Sequence, residues 1–294
     1  MRSLISGAAA IVLLSASVAT TPQPTTRTIF VSAIADKLPV KDLTAADFIV
    51  KENGAVREVA TAQIAAVPMS IALMLDNGGL ALGAVRQGSG QFIEALQGRA
   101  EFAIFTIAVR KLTLVDFTRD VPALYEGLKG LLARNTNSVD LLDGFVDVAK
   151  AFQARGAARP VIVAVATEGE EVSSTRATTV IEEVQRSGAR VYYIGLGIPV
   201  TQGTRGGVNR PADSTEFESA NRNTVLGTVP KNSGGRSENS LQPSGVSVFM
   251  KEFADELLAQ YAVTYRTEAS EARLSVETKR RGVTLRAPAR VGSK

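Results

Sequence analysis

Two continuous apolar runs lie in the middle of the chain, at residues 70–75 and 161–166, and each is followed at once by polar and acidic residues. A strand that is apolar on both faces belongs in the centre of a parallel sheet covered by helices on both sides. We therefore predict two central strands here. Further strands are predicted over 102–109 and 190–195, with an alternating edge strand over 111–117.

Helical spacing of apolar residues fills the segments between these strands. In the clearest segment, apolar residues recur at three- and four-residue intervals and form one helix face, at Leu141, Leu142, Phe145, Val148, Ala149 and Phe152. Four further sets begin near Val85, Leu124, Val180 and Val246. This alternation predicts a doubly wound α/β domain with a mostly parallel sheet over 68–265.

Both ends of the chain are predicted to be β-rich. Strand-type residues over 27–67 form an N-terminal β segment, in which Asn53 and Gly54 are a hairpin signal because both tolerate positive φ. A closing β-hairpin is predicted over 266–294. Because neither end is large enough to bury a core alone, we expect the two to pair into one small β subdomain.

One polar segment interrupts the α/β pattern. Residues 198–223 are rich in Gly, Thr, Asn and Arg and contain almost no apolar side chains. We predict a polar loop insertion here. Such long loops are either disordered or functional, and the sequence leaves both interpretations open.

The N-terminus has the pattern of a signal peptide. Arg2 precedes an apolar run over residues 4–18, and small residues lead up to Ala19. We predict a signal peptide over 1–19 and a leader over 20–26, which makes the protein periplasmic or secreted with no remaining membrane span. The alternative is a retained membrane anchor, although the run is short for one.

The composition excludes several classes of site. The chain has no His and no Cys, which removes Ser-His-Asp and Cys-His catalytic systems, zinc sites built on these residues, and disulfides. The formal net charge of +4 comes from 33 basic and 29 acidic residues mixed along the chain. Because no basic stripe is interleaved with aromatic residues, nucleic acid is not an expected partner.

Several segments, in this order and spacing, resemble von Willebrand factor A domains, and more narrowly the exported bacterial VWFA-related proteins. The segments are 73–76, 167–170, 191–195, Gly234-Gly235-Arg236 followed by a helix ending at Gln260-Tyr261, and a preceding β segment at 43–54. The resemblance implies a parallel sheet whose carboxyl-terminal edge binds a divalent cation and, through it, a carboxylate of a partner protein. The family's adhesion site uses Asp-x-Ser-x-Ser after the first strand, a Thr from a neighbouring loop and an Asp after the fourth strand.

The adhesion site implied by this resemblance is degenerate. Its matching positions here are Asp76, Gly78, Leu80, Val139 next to Ser138, and Glu168. Mg²⁺ prefers octahedral oxygen ligation at about 2.0–2.1 Å. Gly78 and Leu80 offer no hydroxyl, and Glu168 is one methylene longer than Asp.

We therefore expect weak or no divalent-cation binding and no cofactor. If Mg²⁺ or another divalent cation binds, Asp76, Ser138 and Glu168 are the candidate ligands. In the alternative interpretation, Asp76 accepts backbone N–H groups of the following turn, and Glu168, Glu170 and Glu171 are solvated.

The sequence thus favours an exported, non-enzymatic protein-binding module. Its candidate contact residues lie in the strand-end loops: Asp76, Asn77, Ser138 and Glu168. One alternative is a metal-dependent hydrolase that uses Asp76 and Glu168. Another is a purely structural envelope component. The identity of the protein partner and the oligomeric state are left open.

Overall fold

The computed structural model of the 294-residue chain describes residues 25–77, 81–108, 112–133, 138–167, 169–197 and 212–292. The predicted signal peptide lies outside these residues, and so does Glu168. The first described segment consists of strands and one turn of 3-10 helix at Ala45–Asp47. Its strands are β1 (Thr25–Ala35), β2 (Leu38–Pro39), β3 (Phe48–Glu52), β4 (Ala55–Arg57) and β5 (Val59–Ile64).

The middle of the chain alternates strands and helices. The strands are β6 (Met69–Leu75), β7 (Ala100–Thr106), β8 (Leu112–Thr118), β9 (Ser138–Val139), β10 (Pro160–Thr167), β11 (Glu170–Glu171), β12 (Arg190–Leu196) and β13 (Arg236–Ser240). The helices are α1 (Leu82–Ala95), α2 (Val121–Lys129), α3 (Leu141–Ala154), α4 (Ala177–Ser187), α5 (Ala212–Asn232) and α6 (Gly245–Leu258). The chain then returns to strands, with β14 (Tyr261–Thr267), β15 (Ala272–Thr278), β16 (Thr284–Arg286) and β17 (Arg290–Val291).

The central sheet has six strands in the order β13-β12-β10-β6-β7-β8, and only β8 is antiparallel to its neighbour. The fold of this part is therefore mixed α/β with a mostly parallel sheet. The two predicted central strands, β6 and β10, are parallel neighbours, as expected. From this pair the strand order runs outward in both directions.

The apolar runs are explained by two cores, one on each face of the sheet. Along β6, Ile71 and Leu73 pack in the core under α1, α2 and α6, whereas Ala72 and Met74 pack in the core under α3, α4 and α5. Side chains alternate between the faces of a strand, so a strand covered on both faces must be apolar at every position. The five predicted helices are present.

Helix α5 is the main departure from the prediction. The predicted loop over 198–223 is wrong for its described part, because residues 212–232 are helical. The buried contacts of this helix come from its second half, where Val225 and Val229 join the core. Its first half is largely polar, so no apolar period marks it in the sequence.

The two chain ends form a small β sandwich. In one sheet β1 pairs with β14 and β16, and in the other β15 pairs with β3 and β17. Apolar side chains from both ends share one core, including Val31, Val50 and Tyr265. The predicted hairpin turn is confirmed, since Asn53 and Gly54 have φ of 49° and 87° between β3 and β4.

Three predicted boundaries need correction. The hairpin expected within 266–294 is wrong, because β15 and β16 lie in different sheets. The α/β unit ends before residue 265, since β14 pairs with β1. The leader expected over 20–26 overlaps β1, in which Thr25 and Thr26 already pair with β14.

The sandwich attaches at the amino end of the central sheet. At the start of β12, Arg190 donates to Ser32 Oγ (2.9 Å) and to the Phe30 carbonyl (2.5 Å) in β1. Just before β10, Arg159 donates to Gln260 Oε1 (2.9 Å). The carboxyl end of the sheet is therefore left uncovered by the sandwich. No helix among the described residues is long and apolar enough to span a membrane.

Candidate binding site at the carboxyl end of the sheet

Asp76 ties the two central strands together at their carboxyl ends. It follows β6 directly and is buried. Its Oδ2 accepts hydrogen bonds from the backbone N–H of Thr167 (2.9 Å) and from the Thr167 hydroxyl. Thr167 is the last residue of β10, so this carboxylate joins the carboxyl ends of β6 and β10.

Asn77, the next residue, is also buried and holds the loop that follows α2. Its Nδ2 donates to the Leu132 carbonyl (2.6 Å), whereas its Oδ1 has no hydrogen-bond partner among the described residues. Its amide group therefore stabilises the loop at this end of the sheet.

Ser138 lies in β9, which pairs with β11 beyond the end of β10. It is half-buried and sits opposite Glu170 in the register. The structure thus places Asp76, Asn77 and Ser138 at the same end of the sheet. Glu168, the fourth predicted residue, lies outside the described residues.

Glu171 is a structural residue that the sequence interpretation missed. Its Oε1 accepts the backbone N–H groups of Leu141 (3.1 Å) and Ser173 (3.3 Å), and the Ser173 hydroxyl (2.5 Å). It therefore caps the first turn of α3, where a carboxylate is favoured by the free N–H groups. Burial raises the pKa of Glu171, although these hydrogen bonds act in the opposite direction.

The expectation that Glu171 is solvated is wrong. In the short strand β11 Glu170 is exposed while Glu171 is buried, so neighbouring acidic residues have opposite environments. The sequence signal for this difference is that successive side chains of a strand point to opposite faces. It was obscured because β11 has only two residues.

Arg222 of α5 is a second residue that the sequence did not reveal. Its guanidinium donates to the carbonyls of Gly169 (2.7 Å) and Thr167 (2.8 Å) and to the Tyr193 hydroxyl (3.3 Å). This buried cation therefore lies at the end of β10, beside a cleft of about 490 Å³ that Glu171 and Tyr193 also line. Because α5 was not predicted, nothing in the sequence placed Arg222 here.

The described residues do not fit a Mg²⁺ site. Among them, no group of three or more acidic side chains could hold a metal ion. Asp76 already accepts two hydrogen bonds from Thr167, and the guanidinium of Arg222 contacts the carbonyl of the same residue. A positive charge at this place disfavours a second cation. We therefore derive no chemistry through a metal here.

Five of the eight large hydrophobic residues that are exposed in the described part of the chain lie at this end of the sheet. Within the described part of the α/β unit that follows β6, the exposed ones are Leu112, Leu132, Phe217, Leu241 and Val248. We call these five residues the apolar rim. Leu241 is 84% exposed and Leu132 is 67% exposed.

The positions of the apolar rim follow from the topology. Leu112 pairs with Thr106, the last residue of β7, and Leu241 follows the last residue of β13. Val248 lies in the first turn of α6, and Phe217 lies in the early turns of α5. The five residues therefore lie at the same end of the sheet but on different elements, from one edge strand to the other.

Comparison with known proteins gives structural likeness only. No protein-family model matches the chain, and no characterised protein matches it by sequence. Among solved structures it is similar to a von Willebrand factor type A protein from Catenulispora acidiphila, with 10% identity, a TM-score of 0.49, and coverage of 93% of this chain and 75% of that chain.

Two further structures are similar over about two thirds of the chain. Proximal thread matrix protein 1 from the mussel byssus has 13% identity and a TM-score of 0.48, covering 66% of this chain and 48% of that one. The pilus adhesin SpaC from Lactobacillus rhamnosus GG has 11% identity and a TM-score of 0.45, covering 65% and 31%. The chain thus spans about half the length of the mussel protein. All three TM-scores are below 0.5, so these likenesses carry no conclusion about function.

Proposed function

We propose that this protein is an exported, non-enzymatic module that binds a protein partner through the apolar rim and the adjoining strand-end loops. The observation that carries the proposal is that five exposed large hydrophobic side chains lie at the end of the sheet opposite the sandwich. A protein interface is built around desolvated apolar anchors with polar groups at its margin. Leu132 and Leu241 are the most exposed candidates for such anchors.

The polar groups at the rim support binding without a cation. Asp76 is engaged by Thr167, and Arg222 already places a positive charge at the end of β10. Partner recognition would therefore use direct contacts rather than a bridging ion. In this proposal Asp76 and Asn77 stabilise the loops from inside, while Ser138 lies nearer the contact surface. Glu168 is retained from the sequence as a candidate contact residue.

The proposal includes a doubly wound, A-like domain and export of the chain. The outward strand order from β6 and β10, with helices on both faces, supports the first. The apolar run over 4–18 behind Arg2 supports the second.

The test is capture of a partner by the tagged full-length protein from an envelope extract of its source organism. The rim variant carries Leu132→Ser and Leu241→Ser. The matched control carries Leu38→Ser and Val56→Ser, which are exposed positions in the sandwich. Neither pair is buried, so both variants should fold.

We expect the wild type and the sandwich control to capture the same protein in equal amounts, and the rim variant to lose at least 90% of it. This corresponds to a loss of about 1.4 kcal/mol or more in binding free energy. Equal capture by the rim variant, or loss in the sandwich control alone, would move the binding surface away from the rim.

A further inference from the structure

A cleft of about 430 Å³ lies between the sandwich and the amino end of the central sheet. One wall is β1, and the other is formed by the starts of β10 and β12 and the end of α4. Its ionisable lining consists of five arginines and no acidic residue: Arg27, Arg159, Arg186, Arg190 and Arg290. This cleft is at the opposite end of the sheet from the apolar rim.

Two of these arginines are matched by carboxylates. Arg27 forms an ion pair with Glu52 (3.0 Å), and Arg186 forms one with Glu183. Arg290, in contrast, is exposed and has no ion pair with any described residue. The charge of the cleft therefore depends on Arg159, Arg190 and Arg290.

Arg159 is a buried cation whose hydrogen-bond partners are all neutral. Its side chain donates to the carbonyls of Val67 (3.2 Å) and Leu257 (2.6 Å) and to Gln260 Oε1. The residue is 4% exposed, and its Nε has no hydrogen-bond partner among the described residues. Burial, assisted by the nearby charge of Arg190, lowers the pKa of Arg159 to about 10.

Arg190 is only partly compensated. Its nearest carboxylate is Glu256, at 4.0 Å. Glu256 also pairs with Arg286 (2.7 Å) and Arg236 (3.3 Å). Because Arg236 has two further carboxylate partners, Glu238 and Glu252, the charge of Glu256 is shared mainly between Arg190 and Arg286.

The carboxyl ends of two helices offset part of this positive charge. The carboxyl ends of α4 and α6 both lie at the cleft, and each contributes about half a negative charge. Together they offset about one of the two charges of Arg159 and Arg290, which leaves about one positive charge in excess. A buried charge without a counter-charge is unfavourable, so binding of an anion in the cleft is favoured electrostatically.

We propose that this cleft binds a small organic anion, with an oxyanion group held between Arg159, Arg190 and Arg290. The apolar part of the ligand would lie against Phe30, Pro288 and Val291, which line the same cleft. A carboxylate and a phosphate ester share this chemistry. The cleft volume, about 430 Å³, suits a ligand larger than a simple ion.

The test is calorimetric titration of the full-length protein at low ionic strength with hexyl phosphate, hexanoate and inorganic phosphate. Arg290→Gln removes an exposed cation at the cleft and should not unfold the chain. Arg281→Gln is the matched control, because it removes the same charge from an exposed position outside the cleft.

We expect saturable binding of hexyl phosphate or hexanoate that is tighter than binding of inorganic phosphate. Binding of hexyl phosphate alone would identify a phosphate ester as the ligand class, and binding of both would identify a general oxyanion site. Loss of one charge-assisted contact should weaken binding about tenfold in Arg290→Gln, with less than a twofold change in Arg281→Gln. The proposal is overturned if neither organic anion binds, if Arg290→Gln binds as tightly as wild type, or if both variants weaken binding equally.

Discussion

The carboxylate of Asp76 and the terminal residue of the neighbouring strand, Thr167, form a two-point contact at the carboxyl ends of β6 and β10. Both the backbone N–H and the hydroxyl of Thr167 donate to the same oxygen, Oδ2. The first position of the predicted cation site therefore joins β6 to β10 in the described structure. This relationship changes the expected consequence of mutating Asp76.

Replacing Asp76 with Ala should destabilise the fold. Hydrogen bonds to a charged group contribute about 1.5–3 kcal/mol, and the half-buried Thr167 would lose its acceptor. We expect the free energy of unfolding in urea to fall by about 2–3 kcal/mol. Asp116→Ala, at an exposed position of β8, should change it by less than about 0.5 kcal/mol. If Mg²⁺ stabilised the wild type but not Asp76→Ala, a functional cation site would have to be reinstated.

Glu256 should be far more important for stability than its neighbour on α6, Glu252. Glu256 is 2% exposed and faces several arginines at the joint between the two parts of the chain. Glu256→Gln leaves the buried Arg190 without a carboxylate and removes an ion pair from Arg286 and Arg236, so we expect a loss of about 3–5 kcal/mol. Glu252 also pairs with Arg236 but is half exposed, and Glu252→Gln should cost about 1 kcal/mol or less. Equal losses in chemical denaturation would show that the joint does not depend on Glu256.

Two glycines should respond oppositely to alanine. A Cβ at Gly235 would collide with the carbonyl oxygen of Val191 in β12, so Gly235→Ala should destabilise the protein by about 1–3 kcal/mol. A Cβ at Gly227, inside α5, would meet no atom within 4 Å. Because alanine has a higher helix propensity than glycine, Gly227→Ala should raise the melting temperature and increase the free energy of unfolding by about 0.5–1 kcal/mol. A destabilising effect of Gly227→Ala would be inconsistent with the described α5.

Glu171 should make stability depend on pH in a defined direction. Burial raises its folded-state pKa above the ordinary value of 4.5, so the folded chain holds this proton more tightly than the unfolded chain. The contribution is therefore fully present below pH 4.5 and is lost as the pH rises through the folded-state pKa. Glu171→Gln should remove this decline, while Glu170→Gln, at an exposed position, should preserve it. Urea unfolding across a pH series measures the slope, and an unchanged slope in Glu171→Gln would assign it to another group.

Much of the central sheet is predictable from the sequence because burial on both faces leaves a direct mark. Ile71, Leu73 and Val163 belong to an apolar run in which every position must avoid water. Strand β13 has no such apolar run, since its residues alternate between exposed and half-buried positions. Helix α5 is hidden for a similar reason, because its early turns touch little of the core.

The candidate site was predictable only where it follows strand order. Asp76 could be placed at the sheet edge because the ends of parallel strands meet there, whereas Ser138 was a candidate only through the family resemblance. The roles of Glu171 and Arg222 depend on contacts with α3 and with the end of β10. Such contacts join residues far apart in the sequence, and no local pattern encodes them.

The most direct test of the proposed function is hydrogen–deuterium exchange on the complex with the captured partner, in buffer containing EDTA. The account predicts added protection in the early turns of α5, around Leu132, and from Leu241 into the first turn of α6, with the sandwich unchanged. Protection confined to the sandwich strands, or a complex that dissociates when divalent cations are removed, would contradict it.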